Sequence, residues 1–292
     1  MQVIFHIGAH CTGQDRLMRS LLKNRDVLAQ NGVAVPGPGR YRRILAEVLK
    51  KLRGAPASAE TQDVLLEAVL DLDDADRVIL SNESFICAPS KAVEGGVLYP
   101  KIDKSAWLAA AFPEAEVEFA LSLRNMASFL PALFEIVASE DIDAHRFLGG
   151  QDPRELTWVS VVEGLRAANP EAPILVWCDE DSPLLWPEIM RELAGLDALV
   201  RLEGENDLAR TLLSREGNAK LDAYVGRRPP EDEAMRRRVV ASFLSNYGED
   251  SALEQEIDLP GWTDALIDEL TAAYDEDVER IASIPRVTVL TP

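Results

Sequence analysis

The chain has 292 residues, 47% of them hydrophobic, which is enough apolar material for one large α/β core or two small ones. Thirty Lys and Arg against fifty Asp and Glu give a formal charge of −20, a field that repels nucleic acid and anionic membranes but leaves room for a small anion in a local pocket. Cys11, Cys87 and Cys178 are an odd, widely spaced set without a CxxC pair; with no basic leader and no long apolar stretch, the chain reads as soluble and cytoplasmic.

Residues 3–7 form a short apolar run suited to a buried strand, broken by Gly8. Thr12, Gly13, Gln14 and Asp15 then open a helix that places Leu17, Leu21, Leu22 and Leu28 on one face. An extension over 32–36 ends in a Pro-Gly-Pro-Gly turn, and 41–53 and 60–72 read as helices. Arg77 to Ser81 is the next strand, and its exit, Asn82-Glu83-Ser84, leads into a long loop. Helix 101–112, strand 117–123 and helix 126–139 follow, the last interrupted by Pro131, which either kinks it or sits in its first turn. A helix over 152–168 starts with Asp152 as cap and Pro153 at the first helical position. Strand 173–177 ends at Asp179-Glu180-Asp181. Helices are then expected over 186–193, 206–224, 230–245 and 262–282, an acidic irregular stretch over 246–260, and a last strand over 286–290.

This alternation predicts a single α/β domain over 1–292: three layers, a mainly parallel central sheet, and a helical C-terminal part at about 184–285. Ligands in such folds sit beyond the carboxyl ends of the strands, which puts 8–15, 81–84, 124–128 and 179–181 on one rim. The turn from the first strand into the first helix is an anion site by construction, because the opening N–H groups of a helix lack internal partners. Loops of this kind normally add a lysine, whereas here Cys11 stands at the centre and Asp15 adds a negative charge.

The run Phe5-His6-Ile7-Gly8-Ala9-His10-Cys11-Thr12-Gly13, followed by Asn24-Arg25-Asp26, Gly32 and Pro36, resembles the opening of bacterial sulfotransferases, which share a P-loop fold. The resemblance continues in order at 79–83, 119–124, 176–181 and 274–277. It implies transfer of a sulfuryl group from 3′-phosphoadenosine 5′-phosphosulfate to a hydroxyl or amine on a small-molecule or glycan acceptor. Matched residue by residue, Gly8, Ala9, His10, Cys11, Thr12, Gly13 and Gln14 would cradle the 5′-phosphosulfate, with Cys11 at the lysine position. Arg124 would hold the 3′-phosphate, and Ser128 would stand in for the serine whose place falls at Ala132. Glu83 would be the catalytic base and Arg16 a substitute cation. Losing a lysine about 4 Å from an anion costs roughly 4 kcal/mol at an effective dielectric near 20.

Other readings share these residues. The fold could persist as a non-catalytic anion- or nucleotide-binding protein. His10-Cys11 before Arg16 also suggests a cysteine-dependent phosphatase, in which the loop would depress the thiol pKa, although that pattern needs five intervening residues and only four are present. The acidic runs 179–181 and 275–277 read as solvated or capping, Trp177, Trp186 and Trp262 as packing, and His6 and His10 as core or hydrogen-bonded histidines, with no metal site. Glu83 has a capping reading of its own, through the Asn82-Glu83-Ser84 turn. Arg40, Arg42 and Arg43 either approach the rim or lie on a solvated helix face.

Overall fold

The computed structural model describes residues 1–13, 15–70, 75–139, 142–249 and 259–292. β1 (Gln2–His6) is followed by α1 (Arg16–Lys23), α2 (Arg25–Gln30) and β2 (Val33–Ala34). Next come α3 (Pro38–Leu52), α4 (Ala59–Val69) and β3 (Arg77–Ser81). A small antiparallel hairpin, β4 (Val93–Glu94) and β5 (Val97–Leu98), lies within the long loop before α5 (Ser105–Ala110) and β6 (Glu116–Leu123). α6 (Met126–Val137), α7 (Ala144–Leu148) and α8 (Trp158–Ala168) lead to β7 (Ile174–Cys178). α9 (Ser182–Ala194), α10 (Asp207–Leu212), α11 (Arg215–Arg227), α12 (Glu233–Tyr247) and α13 (Asp264–Ala282) precede β8 (Val287–Leu290).

Six strands form one sheet in the order β2-β3-β1-β6-β7-β8, and every pairing is parallel. The chain leaves β1 toward the β3 side and leaves β6 toward the β7 side. These diverging connections open a crevice beyond the carboxyl ends of β1 and β6. Strand alternation divides the apolar residues between two cores. Val3, Phe5, Phe119 and Val176 face one, with Tyr41, Leu108, Trp158 and Leu270 packed on them. Ile4, Ile79, Ala120 and Leu175 face the other, under Leu17 and Leu21 of α1 and Ile189 and Leu193 of α9. The result is three layers, helices on both faces of a parallel sheet. No helix among the described residues is long and apolar enough to cross a membrane.

Several expected helices are divided, each by an identifiable local competitor. The opening helix stops at Asn24, whose side-chain amide binds both the N–H (2.6 Å) and the C=O (2.9 Å) of Glu203. Over 101–112 a 3-10 turn, Ile102–Lys104, precedes the short α5. Asp152 caps only the turn Pro153–Glu155; Leu156 is extended, and Thr157 starts α8 anew. Asp277 on α13 reinforces that start by accepting the Trp158 N–H at 2.7 Å, so one of the terminal acids has a capping role. The span 206–224 breaks at the extended Leu213, after which Ser214 caps α11. Pro131 lies inside α6 and denies the Ala127 carbonyl its helical partner; the indole of Trp262 supplies one at 2.9 Å. The end of the helix expected over 60–72 and most of the acidic stretch over 246–260 lie outside the described residues.

Candidate functional site

The β1 ladder continues past the strand end. Ile7 N–H donates to the Ala120 carbonyl and Ala9 N–H to that of Ser122, both at 3.0 Å, while Ser122 N–H returns to the Gly8 carbonyl at 2.7 Å. Gly8 has φ of +110°, and a Cβ there would lie 3.2 Å from His10 N and 3.3 Å from the Glu83 Cα, so conformation and space both demand glycine. His10 turns inward: the Tyr99 hydroxyl accepts its backbone N–H at 2.9 Å and lies 2.7 Å from its Nδ1. Thr12 spends its hydroxyl proton on the Ala9 carbonyl at 2.7 Å. The expected continuous cradle over 8–13 is therefore corrected. The amides of Ala9 and His10 serve the sheet and Tyr99, and among the described residues of the loop Cys11, Thr12 and Gly13 line the cavity described below. Gln14, expected in the cradle, lies outside the described residues.

Asp15 occupies the residue before α1 in a left-handed conformation, φ 63°, and its carboxylate caps nothing. It turns to Arg42, whose two terminal nitrogens grip both carboxylate oxygens. Arg42 also donates to the Ser81 carbonyl from Nε at 3.1 Å, and the Tyr41 hydroxyl donates to the same oxygen at 2.6 Å. The Arg42 guanidinium holds the Asp15 carboxyl below its ordinary value. The negative charge that Asp15 adds to the loop is thus paired with Arg42, and of the two readings of Arg42 the solvated helix face does not hold.

A cavity of about 690 Å³ occupies the crevice where the strand order reverses. Cys11, Thr12, Gly13 and Arg16 line it from the loop after β1 and the first turn of α1, and Arg124, Asn125 and Ser128 from the end of β6 and the start of α6. Trp177, Asp179 and Glu180 enter from the end of β7, Trp186 from α9, and Leu208 and Thr211 from α10. Arg124, only 7% exposed, donates from Nη1 to the Cys11 carbonyl at 2.6 Å and from Nε to the Ser128 hydroxyl at 3.1 Å. The Trp158 indole donates to the Arg124 carbonyl at 2.7 Å and fixes the strand exit.

The structure therefore brings together Cys11, Thr12, Gly13, Arg16, Arg124 and Ser128. Gly8 and Ala9 support the loop from behind, and His10 is buried away from the cavity. Glu83, expected as the base, is not on the cavity wall. It lies on the β3 side of the loop, where burial raises its carboxyl, Asp15 adds to the rise, and Arg42 and the Cys11 backbone oppose it. The local turn is made instead by Asn82, which accepts the Ser84 N–H at 3.1 Å. Burial pushes the Cys11 thiol up to about 11, with Arg124 only partly opposing. That is the reverse of the depressed thiol the phosphatase reading expects.

Asp179 is the ionisable group most altered inside the cavity. Burial first, and Glu180 second, raise its carboxyl to about 7, against Arg124 and Arg16. His6 also lines the cavity, with its ring stacked on Trp177 at 5.5 Å. Trp177 and Trp186, read as packing residues, are both packed and part of the wall. Sequence position alone marks His6 and Asp179 as strand-end residues; what it lacks is the direction of each side chain. Among the described residues no three His, Cys, Asp or Glu side chains converge as metal ligands. Among protein-family models and curated proteins, none matches the chain.

Proposed function

We propose that this chain is a sulfotransferase-like protein of P-loop type that binds a phosphorylated nucleotide, of the 3′-phosphoadenosine 5′-phosphate kind, without transferring a sulfuryl group. One observation carries the reading. The cavity at the reversal of strand order is lined by Thr12, Gly13 and Arg16 from the loop and helix after β1 and by the bonded pair Arg124–Ser128 from the end of β6 and α6. These are the groups that the family resemblance assigns to the two charged ends of the donor. Arg16 and Arg124 supply the cations, and Trp177 and Trp186 supply flat apolar wall for a base or ribose.

Three features count against transfer. The loop has Cys11 where a lysine would neutralise the leaving phosphate. The amides of Ala9 and His10 are engaged elsewhere. Glu83, the expected base, stands outside the cavity, so an acceptor hydroxyl or amine has no proton acceptor there from that residue. The test is a titration of 3′-phosphoadenosine 5′-phosphate followed by calorimetry and thermal unfolding. At a hundredfold excess over Kd, binding adds about 2.7 kcal/mol, a Tm rise of roughly 5 °C for a chain of this size. The rise is expected to disappear in Arg124→Ala. No response at millimolar nucleotide overturns the binding reading; product formed from 3′-phosphoadenosine 5′-phosphosulfate and hydroxyl acceptors overturns the non-catalytic part.

A further inference from the structure

His6 is the last residue of β1, and strand alternation turns it to the α1 and α9 face along with Ile4. Register places Ser81 of β3 directly beside it on one side and the small Ala120 of β6 on the other. Its Nδ1 lies 2.8 Å from the Ser81 hydroxyl, and Trp177 covers the ring face at an interplanar angle of 23°. The side chain is clamped on two sides and 8% exposed, yet it lines the cavity. Its second nitrogen, Nε2, is buried without a hydrogen-bond partner among the described residues. A buried polar atom in that condition is costly unless something else meets it, and the cavity is the space that the His6 side chain borders.

The tautomer follows from the neighbour. Among the described residues the Ser81 hydroxyl has one side-chain partner, His6 Nδ1. Its proton is satisfied only by donation to that nitrogen, which leaves the ring proton on Nε2. Burial also lowers the His6 pKa to about 4, so the ring is neutral near pH 7. Nε2–H is then a fixed, neutral donor in a cavity that holds two arginines.

We propose that His6 determines specificity in this cavity, its Nε2–H donating to an oxyanion oxygen, phosphate or sulfate, of the bound ligand. This rests on the reading of the cavity as a nucleotide site and adds the group that takes over part of the absent lysine's contact. A neutral donor adds a directional bond to an acceptor oxygen without adding charge, so the site favours a terminal phosphate or sulfate over a group that offers no acceptor there, such as an ammonium.

Nitrogen-15 NMR of the imidazoles tests the assignment directly, because the chain has only three histidines and His6→Gln identifies the signal. The Nε2–H form is expected at pH 7.5, with its resonance moving on titration of 3′-phosphoadenosine 5′-phosphate. His6→Asn keeps a polar atom for Ser81 and removes the cavity donor; a ten- to hundredfold loss of nucleotide affinity is expected at unchanged folding. His6→Gln reaches the Nε2 position and is expected to stay within threefold of wild type. Inorganic sulfate and phosphate are titrated in parallel. If they shift His6 while the nucleotide does not bind, the His6 assignment holds and the nucleotide reading fails. If the nucleotide binds with His6 unmoved, or with equal affinity to folded His6→Asn, the His6 assignment fails alone. If no probe shifts His6 or binds, both fall.

Discussion

Replacing Cys11 with lysine isolates charge from shape at the loop. Cys11 already holds φ of +61°, and lysine carries the same Cβ, so the exchange adds no new backbone cost. An ammonium about 4 Å from a bound phosphate gains roughly 4 kcal/mol at an effective dielectric of 20. The surroundings reduce this: Glu83 and Asp179 act on the Cys11 side chain as negative charges and would hold the new ammonium, while Arg124 would repel it. A net gain of about 2 kcal/mol, roughly thirtyfold in affinity, remains. Asp15→Thr is expected to add nothing to Cys11→Lys, because Asp15 already spends its charge on Arg42. Calorimetric titration of 3′-phosphoadenosine 5′-phosphate at 50 and 200 mM salt measures both the gain and its electrostatic share. Cys11→Met, of similar length but uncharged, is the control. Equal affinities in folded Cys11→Lys and Cys11→Met would refute the placement of the anion beside this loop.

Four further outcomes are expected. Between about pH 4 and 7 the folded Asp179 keeps a proton that the unfolded chain has released, so this group makes stability fall as pH rises, by about 1.4 kcal/mol per pH unit. Urea unfolding should therefore show Asp179→Asn gaining about 2–3 kcal/mol on wild type between pH 5 and 7.5; a flat difference refutes the buried carboxyl. His6 and His10, both lowered to about 4 chiefly by burial, act with the opposite sign: they stay neutral in the fold while the unfolded chain takes up protons, so their contribution is lost as pH falls from about 6.5 to 4. Folded His6→Gln should accordingly lose less stability than wild type between pH 6.5 and 4.5, and parallel curves would count against a neutral ring. Arg236, 3% exposed, joins Glu233 at 2.7 Å and Glu188 at 3.1 Å and tethers α12 to α9; because Arg191 still holds Glu233 at 2.5 Å and Arg237 lies 3.6 Å from Glu188, Arg236→Met should cost about 1–3 kcal/mol, and a loss under about 0.5 kcal/mol would show that the two remaining arginines carry the cluster. Asp15 and Arg42 are partly exposed, so a double-mutant cycle should give a coupling of about 0.5–1 kcal/mol; zero coupling would mean the pair does not hold the loop.

Much of the architecture was legible because it depends on composition over short windows. The run at 77–81 reads as a strand on β-branched and apolar content, and it is one to the residue. Strand 117–123 differs by one position at its start. Helix limits were less legible, because they are decided by single side chains reaching across the fold. Asn24 ends α1 by binding Glu203, and Asp277 prepares the start of α8 from 119 positions away. Neither partner is visible in a local window. Pro131 shows the same from the other direction: it lies within a helix because Trp262, far along the chain, meets the carbonyl that proline leaves unpaired.

The site divides along the same line. Thr12, Gly13, Arg124 and Ser128 are close together because parallel strands deliver their exits to one rim, which strand alternation alone predicts. Which loop amides face that rim is a different quantity, fixed by hydrogen bonds that no spacing rule contains. Ala9 extends the ladder with β6, and His10 takes the Tyr99 hydroxyl at the far end of the long loop. The loss of lysine and the engagement of these amides act in the same direction, since both remove anion affinity from the front of the loop. Donor capacity toward the cavity is then carried by side chains set deeper: Arg124, braced on the Cys11 carbonyl, and His6, braced on Ser81. An anion in this protein is therefore expected to sit nearer the ends of β1 and β6 than a loop with a lysine would place it, and the response of His6 to inorganic sulfate is the measurement that locates it.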